Sequence, residues 1–211
     1  ANRQRLIDDP RNQLYKNFVQ IVDKVKPKFF VMENVKGMLK VKQQVIEDFV
    51  AIGYSATAYV LNACDYGVPQ NRERIYIVCF REDIAPEEFV FPEGTDSTKC
   101  IRDIMEDAPI DPKYYLSDTY LNTLKAHKAR HESRGNGFGY VVRDLDGISG
   151  TIVCGGMGRE GNLLKDSRPH SMTPTTHIKG NINTEDIRKM TPREWARLQG
   201  FPDDFILPLA D

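Results

Sequence analysis

Helical and strand-like apolar patterns alternate at short intervals across the first 80 residues, and this alternation constrains the fold more than any other feature. Two stretches carry apolar residues at helical spacing and end at Pro27 and Gly53. Three short β-rich or apolar runs lie at residues 28–32, 54–61 and 74–80. Helices and strands in this order predict an α/β fold with part of a doubly wound sheet.

The character of the chain changes beyond residue 90. Residues 81–134 are first rich in acidic residues, Pro and Ser and then become helical and basic. Residues 135–180 contain 10 of the 15 glycines and show no helical period, which is typical of loops and short strands. The sequence Thr191-Pro192-Arg193-Glu194 has the form of a capping box and predicts a final helix that stops at Gly200.

Composition excludes several classes of protein. With 40% hydrophobic and 28% charged residues and a net charge of −1, the 211-residue chain resembles an ordinary globular protein rather than a disordered or fibrous one. The longest uninterrupted apolar run, residues 75–80, is too short to span a membrane. Four scattered cysteines form no metal-binding pair, so a cytoplasmic location and no metal site are expected. The absence of an initiator Met suggests a fragment or a processed product.

Two polar segments adjoin predicted strands. Glu33 follows the apolar run 28–32, where ligands bind in open α/β sheets, so it could act as an acid or could simply face water. In the segment 70–74, strand alternation would place Gln70, Arg72 and Arg74 on one face. Two arginines on one face suit phosphate or base-edge recognition, but also fit a solvated edge strand.

Other candidate groups are weaker. Cys79 lies in an apolar strand and is expected in the core, and Cys64 and Cys154 are expected to be inert packing residues. His127 and His131 share a helical face, but neighbouring Lys128 and Arg130 favour a solvated basic helix over a metal site.

Three blocks of the sequence resemble the cytosine-5 DNA methyltransferases. Residues 27–37 contain Glu33-Asn34-Val35, residues 66–76 contain Gln70-Asn71-Arg72-Glu73-Arg74, and residues 188–202 contain the late helical block. Their order and separation make chance agreement improbable. The resemblance covers the whole chain and implies a DNA (cytosine-5-)-methyltransferase of the kind found in bacterial restriction-modification systems, acting on double-stranded DNA.

The resemblance also implies roles for individual residues. In that family a cysteine thiolate adds to carbon 6 of a flipped-out cytosine, and carbon 5 then takes the methyl group of S-adenosylmethionine. Glu33 would protonate or hydrogen-bond ring N3, and Arg74 would contact the cytosine O2. Arg72 and Arg11 would contact the DNA backbone, and Leu14 would lie near the cofactor.

The resemblance further implies a division by role. Residues 1–90 would be a partial catalytic α/β domain, 91–185 a small, mainly β, glycine-rich target-recognition domain, and 186–211 a helix returning to the catalytic domain. Phe138, in a glycine-flanked stretch, and Thr151, at the start of an expected strand, would read DNA. The alternatives are that Phe138 fills a small core and that Thr151 is only a β-former.

Family blocks for the cofactor loop, the Pro-Cys-Gln nucleophile and the closing Gly-Asn segment are not found in the chain. We therefore expect the isolated chain to be inactive and to work with a missing N-terminal part or a complementing subunit. Exposed sheet edges would also favour self-association. A non-catalytic DNA-binding module and one subunit of a split enzyme remain alternatives. The long glycine-rich region argues against the family branch that methylates transfer RNA.

Overall fold

A computed structural model describes residues 14–95, 97–107, 109–153, 160–168 and 180–208. None of the helices in these ranges is long and apolar enough to cross a membrane. The described residues form two compact units. The first comprises residues 14–62 and 73–93, and the second comprises residues 63–72 and those from 94 onward. The three-part division by role stays a prediction.

The first unit contains two helices and one three-stranded sheet. Its elements are α1 (Leu14–Val25), β1 (Phe29–Val35), α2 (Lys42–Val50), β2 (Tyr54–Asn62) and β3 (Glu73–Arg81), with 3-10 turns at Lys36–Val41 and Glu82–Ile84. The predicted alternation of helices and strands is confirmed. Gly53, at φ +87°, follows α2 as expected of a residue that ends a helix.

The strand order in this sheet is β1-β3-β2, and β3 runs antiparallel to both of its neighbours. β1 and β2 therefore run parallel, with α2 in the crossover between them. A parallel connection needs about a dozen residues or more. The segment 63–72 between β2 and β3 is shorter, so β3 returns in the opposite direction.

One face of the sheet packs against α1 and α2 and forms the core of the unit. Alternation along β3 sends Ile75, Ile77 and Cys79 into this core, as predicted for Cys79. Aromatic rings fill the space between the helices and the sheet, with ring centroids 4.9–6.1 Å apart. They belong to Phe18, Phe30, Phe49 and Tyr54.

The opposite face of the sheet is largely open in the described part of the unit. It carries large exposed apolar side chains from β1 and β2, namely Phe29, Val31, Val35 and Tyr59. Phe91 stacks on Tyr59 and Phe89 packs against Phe80, so the segment after β3 covers only part of this face. We call it the open sheet face. Glu33 and Arg74 lie on it.

The second unit has one long helix, one short helix and very short strands. Its elements are α3 (Asp118–Glu132), β4 (Val142–Arg143), β5 (Leu163–Lys165), β6 (Ile187–Arg188) and α4 (Pro192–Arg197). Short 3-10 turns lie at Ala63–Tyr66, Ile101–Ile104, Pro112–Tyr114 and Glu160–Asn162. The sheet order is β4-β5-β6, parallel and then antiparallel.

The expectation of a mainly β unit is wrong for the residues that the structure describes. The longest regular element is α3, whose first turn is capped by the Ser117 hydroxyl, which accepts a hydrogen bond from Tyr120 N at 3.2 Å. Leu121 and Leu124 anchor this helix in a core with Leu163 and Ile187. The cap and these apolar anchors together stabilise a helix in this region.

The predicted final helix is confirmed as α4. Thr191 Oγ1 accepts from Glu194 N at 3.1 Å, and the Glu194 carboxylate accepts from Thr191 N at 2.9 Å, which is the reciprocal capping box. Met190 and Leu198 pack in a core with Ile101, Ile104 and Leu164. By packing, α4 therefore belongs to the second unit.

Candidate functional site

Glu33 and Arg74 form an ion pair on the open sheet face. Arg74 stands opposite Val35 in the β1–β3 ladder, so it is the diagonal neighbour of Glu33 on the same face. Arg74 Nε lies 3.1 Å from Glu33 Oε1, and Arg74 Nη1 donates to Glu73 O at 2.8 Å. These two contacts fix the guanidinium, which in turn orients the carboxylate.

The exposure of the pair differs between its two members. The Glu33 side chain is 43% exposed, whereas that of Arg74 is 14% exposed. Glu33 lies inside β1, not after it as expected, because the strand continues to Val35. A carboxyl group held in place yet open to solvent can exchange a proton with a bound ring, and the adjacent guanidinium can donate hydrogen bonds.

Three other residues were predicted to contact the cofactor or the DNA backbone. Leu14 is the first residue of α1 and is 74% exposed. Arg72 is half-buried in the second unit, in the segment before β3, and its carbonyl accepts from Ala63 N. Arg11 lies outside the described residues.

Gln70 does not share a solvent-facing surface with the arginines, because β3 begins only at Glu73. Its side chain is buried and joins two segments of the second unit. Nε2 donates to Leu198 O at 2.6 Å, and Oε1 accepts from Ile152 N at 3.1 Å. Gln70 is therefore a positioning residue that ties the end of α4 to the segment around Thr151.

The strand expected to begin at Thr151 is absent from residues 151–153, since the Gln70 side chain takes the backbone hydrogen bond that a strand partner would provide. The Thr151 hydroxyl donates to Asn71 O at 2.6 Å. Its oxygen lone pairs remain available as acceptors.

Phe138 is 70% exposed, so it does not fill a small core. Its ring meets the His131 ring edge to face, with centroids 5.9 Å apart, and His131 packs on His127 at 4.4 Å. The two histidines are half-buried rather than fully solvated. In the described ranges no group of three or more His, Cys, Asp or Glu side chains could hold a metal ion.

A buried ionic network lies beside α4 and was not foreseen from the sequence. Arg188 is fully buried, donates from Nη1 and Nη2 to Glu194 at 2.7 and 2.8 Å, and donates from Nε to Asp166 at 2.7 Å. Burial alone would raise the pKa of Asp166, but hydrogen bonds from Arg168 and Arg188 lower it to about 2. The late helical block thus carries structural charges.

One described cysteine, Cys79, is poorly placed for nucleophilic chemistry. Cys79 is buried in the core of the first unit, and burial raises the pKa of its thiol to about 12. Cys64 and Cys100 are half-buried thiols. Cys154 lies outside the described residues.

Comparison with known proteins shows the family to which the chain belongs. The model of the C-5 cytosine-specific DNA methylase family matches residues 1–211. The chain belongs to this family. It is 47% identical, over its full length, to the type II methyltransferase M.HpaII of Haemophilus parainfluenzae. It is 35% identical, over 94% of its length, to M.MthTI of Methanothermobacter thermautotrophicus.

The chain spans about three fifths of the length of these relatives, 61% of M.HpaII and 63% of M.MthTI. A solved structure of the Entamoeba histolytica methyltransferase EhMeth matches 97% of the chain and 62% of its own length, with a TM-score of 0.64 and 19% identity. This likeness supports an α/β methyltransferase fold for the chain.

Proposed function

We propose that this chain is part of a DNA (cytosine-5-)-methyltransferase that methylates cytosine in double-stranded DNA, as one half of a type II restriction-modification system. The observation that carries the proposal is the ion pair of Glu33 with Arg74 on the open sheet face of a chain of this family. The longer protein that would contain the chain is called the complete enzyme below.

In the proposed mechanism, Glu33 and Arg74 act on two neighbouring polar atoms of a flipped cytosine. Glu33 supplies a proton or a hydrogen bond to ring N3, which relieves the charge created when a thiolate adds at carbon 6. Arg74, held by the Glu73 carbonyl, donates to the cytosine O2. Both groups lie on one face, so a base presented to that face can meet both.

S-adenosylmethionine would supply the methyl group when bound. Leu14 fits a place beside it, because an apolar side chain that is 74% exposed can pack against an adenine ring. The remaining contacts would come from the rest of the complete enzyme.

In the proposal, the rest of the complete enzyme, or a complementing subunit, covers the open sheet face. Phe29, Val31 and Val35 form a row of exposed apolar side chains along β1, an edge strand of the described sheet. Such a row favours burial against another chain segment.

In the proposal, Arg11 and Arg72 contact the DNA backbone.

Residues 91–185 would serve as the region that reads the DNA sequence, with Phe138 and Thr151 in contact with the duplex. In this scheme residues 1–90 and 186–211 serve catalysis and residues 91–185 serve recognition. The proposed site of action is the cytoplasm.

The isolated chain is proposed to be inactive, because Cys79 is a core residue with a raised pKa and the chain spans only part of its relatives. The test incubates the chain and the complete enzyme with labelled S-adenosylmethionine and duplex DNA, and maps methylated positions by bisulfite sequencing. The proposal expects 5-methylcytosine from the complete enzyme and no label transfer by the chain. No cytosine methylation by the complete enzyme would overturn the function, and transfer by the purified chain would overturn its inactivity.

A further inference from the structure

A cleft of about 550 Å³ lies within the second unit and includes both residues proposed to read DNA. Its described lining combines an aromatic ring, small residues and one arginine. Its lining includes Phe138, Arg143, Gly150, Thr151, Gly161 and Asn162.

Among the described residues, Arg143 is held in this cleft through one nitrogen atom, Nε. Its Nε donates to Gly161 O and to Asn162 Oδ1, both at 3.0 Å. Asn162 is itself buried and fixed, because it accepts from Gly150 N at 2.8 Å and donates to Gly150 O at 3.3 Å. The plane of the guanidinium is therefore set by backbone and amide groups.

The terminal nitrogens of Arg143 have no hydrogen-bond acceptor and no carboxylate partner among the described residues. Three other buried or half-buried arginines of this unit, Arg168, Arg188 and Arg197, each pair with an acidic side chain. Burial lowers the pKa of Arg143, with no acidic neighbour to oppose it. A partly buried cation that is oriented but unpaired is costly without a ligand.

Glycines make room for this arginine in the cleft. A Cβ atom at Gly150 would lie 2.3 Å from Arg143 Nη2, so no other residue fits beside the guanidinium without moving it. A Cβ atom at Gly161 would meet nothing within 4 Å. His127 and His131 also line the cleft, and their Nδ1 atoms are buried without a hydrogen-bond partner in the described part of the chain.

Resting on the proposed function, we propose that Arg143 is a specificity-determining residue that reads a guanine of the target site through Nη1 and Nη2. Bidentate pairing of arginine with guanine O6 and N7 is the commonest specific contact in the major groove. A phosphate-binding surface gathers several cations, whereas Arg143 is the one lysine or arginine in the described lining of the cleft. Asn162 is the positioning residue that holds it.

The test uses the complete enzyme and a duplex library in which the bases around a central cytosine are randomised. Methylated members are identified by bisulfite sequencing, which gives the base preference at each position. For Arg143→Ala, we expect preference for guanine at one position to fall about 5- to 100-fold, the discrimination of one bidentate pair. Arg143→Lys, which keeps the charge but not the planar fork of donors, should lose less of this preference. Preferences at other positions should stay unchanged. Arg102→Ala, which removes an exposed partner of Asp146 in the same unit, is the matched control.

A second experiment places 7-deazaguanine, which lacks the N7 acceptor, at the position where Arg143 is proposed to read guanine. Wild type should discriminate against it, and Arg143→Ala should not. An unchanged profile in both Arg143 variants would overturn the inference, and so would an equal loss of rate on all sequences, which would indicate a phosphate contact. If wild type methylates no cytosine in the library, the proposed function itself fails, so the two failures are distinguishable.

Discussion

Removing the Glu194 carboxylate is expected to destabilise the second unit strongly. Glu194 is fully buried and accepts from Arg188 Nη1 and Nη2, from Thr191 N and from Glu106 N at 2.7–3.1 Å. Glu194→Ala would leave the buried guanidinium with one acidic partner, Asp166, and would strip an acceptor from two backbone N–H groups. Breaking a buried ion pair by removing one partner costs about 3–5 kcal/mol.

Urea unfolding followed by tryptophan fluorescence measures this loss locally, because Trp195 is the only tryptophan of the chain and neighbours Glu194 in α4. With a urea dependence of about 2 kcal/mol per molar, Glu194→Ala should lower the midpoint by about 1.5–2.5 M. Glu194→Gln keeps one acceptor oxygen and should lower it less.

The matched control is Asp146→Ala, which removes an exposed partner of Arg102 and should leave the midpoint within error. A midpoint shift for Glu194→Ala no larger than that for Asp146→Ala would contradict the expected destabilisation. In that case the buried network would contribute nothing beyond an exposed pair.

Three further predictions concern recognition, acid stability and association. In the complete enzyme, Phe138→Ala or Thr151→Ala should reduce the difference in binding free energy between preferred and scrambled duplexes by about 1–3 kcal/mol. An unchanged difference in both variants would exclude their role in reading the sequence. Because the pKa of Asp166 is about 2 when folded and 3.8 ordinarily, its stabilisation is present above pH 4 and lost toward pH 2. The urea midpoints of wild type and Asp166→Asn should therefore converge over that range, and a constant difference would contradict the assignment. The isolated chain should self-associate through the open sheet face in light scattering, and Val31→Lys should reduce it; a monomeric wild type would contradict this.

Most elements of the first unit could be predicted because their signals are local. The apolar spacing before Pro27, the stop at Gly53 and the run 74–80 each mark an element that the structure contains. The position of β3 between β1 and β2 could not be predicted, since it depends on the length of a connection and on which edges remain free. The extension of β1 to Val35, which places Glu33 inside the strand, could not be predicted either, because it depends on pairing with β3.

The candidate site was only partly predictable. Glu33 and Arg74 are far apart in sequence and meet through a diagonal step in the antiparallel ladder, so no spacing rule reveals their contact. The capping box around Glu194 was readable, but its link to Arg188 was not, because buried pairing depends on tertiary packing. Arg143 gave no sequence signal at all, since its lack of an acidic partner is a property of the folded unit.

Glu33 is proposed to assist the chemical step of cytosine methylation, and this role can be measured by single-turnover methyl transfer with the complete enzyme carrying Glu33→Gln. General acid assistance contributes about 10²–10⁴-fold, so the rate should fall at least about 100-fold at neutral pH, with DNA affinity within a few-fold of wild type. Glu47→Gln, which changes an exposed carboxylate on α2, should keep the wild-type rate. A near-normal single-turnover rate for Glu33→Gln would contradict the claim.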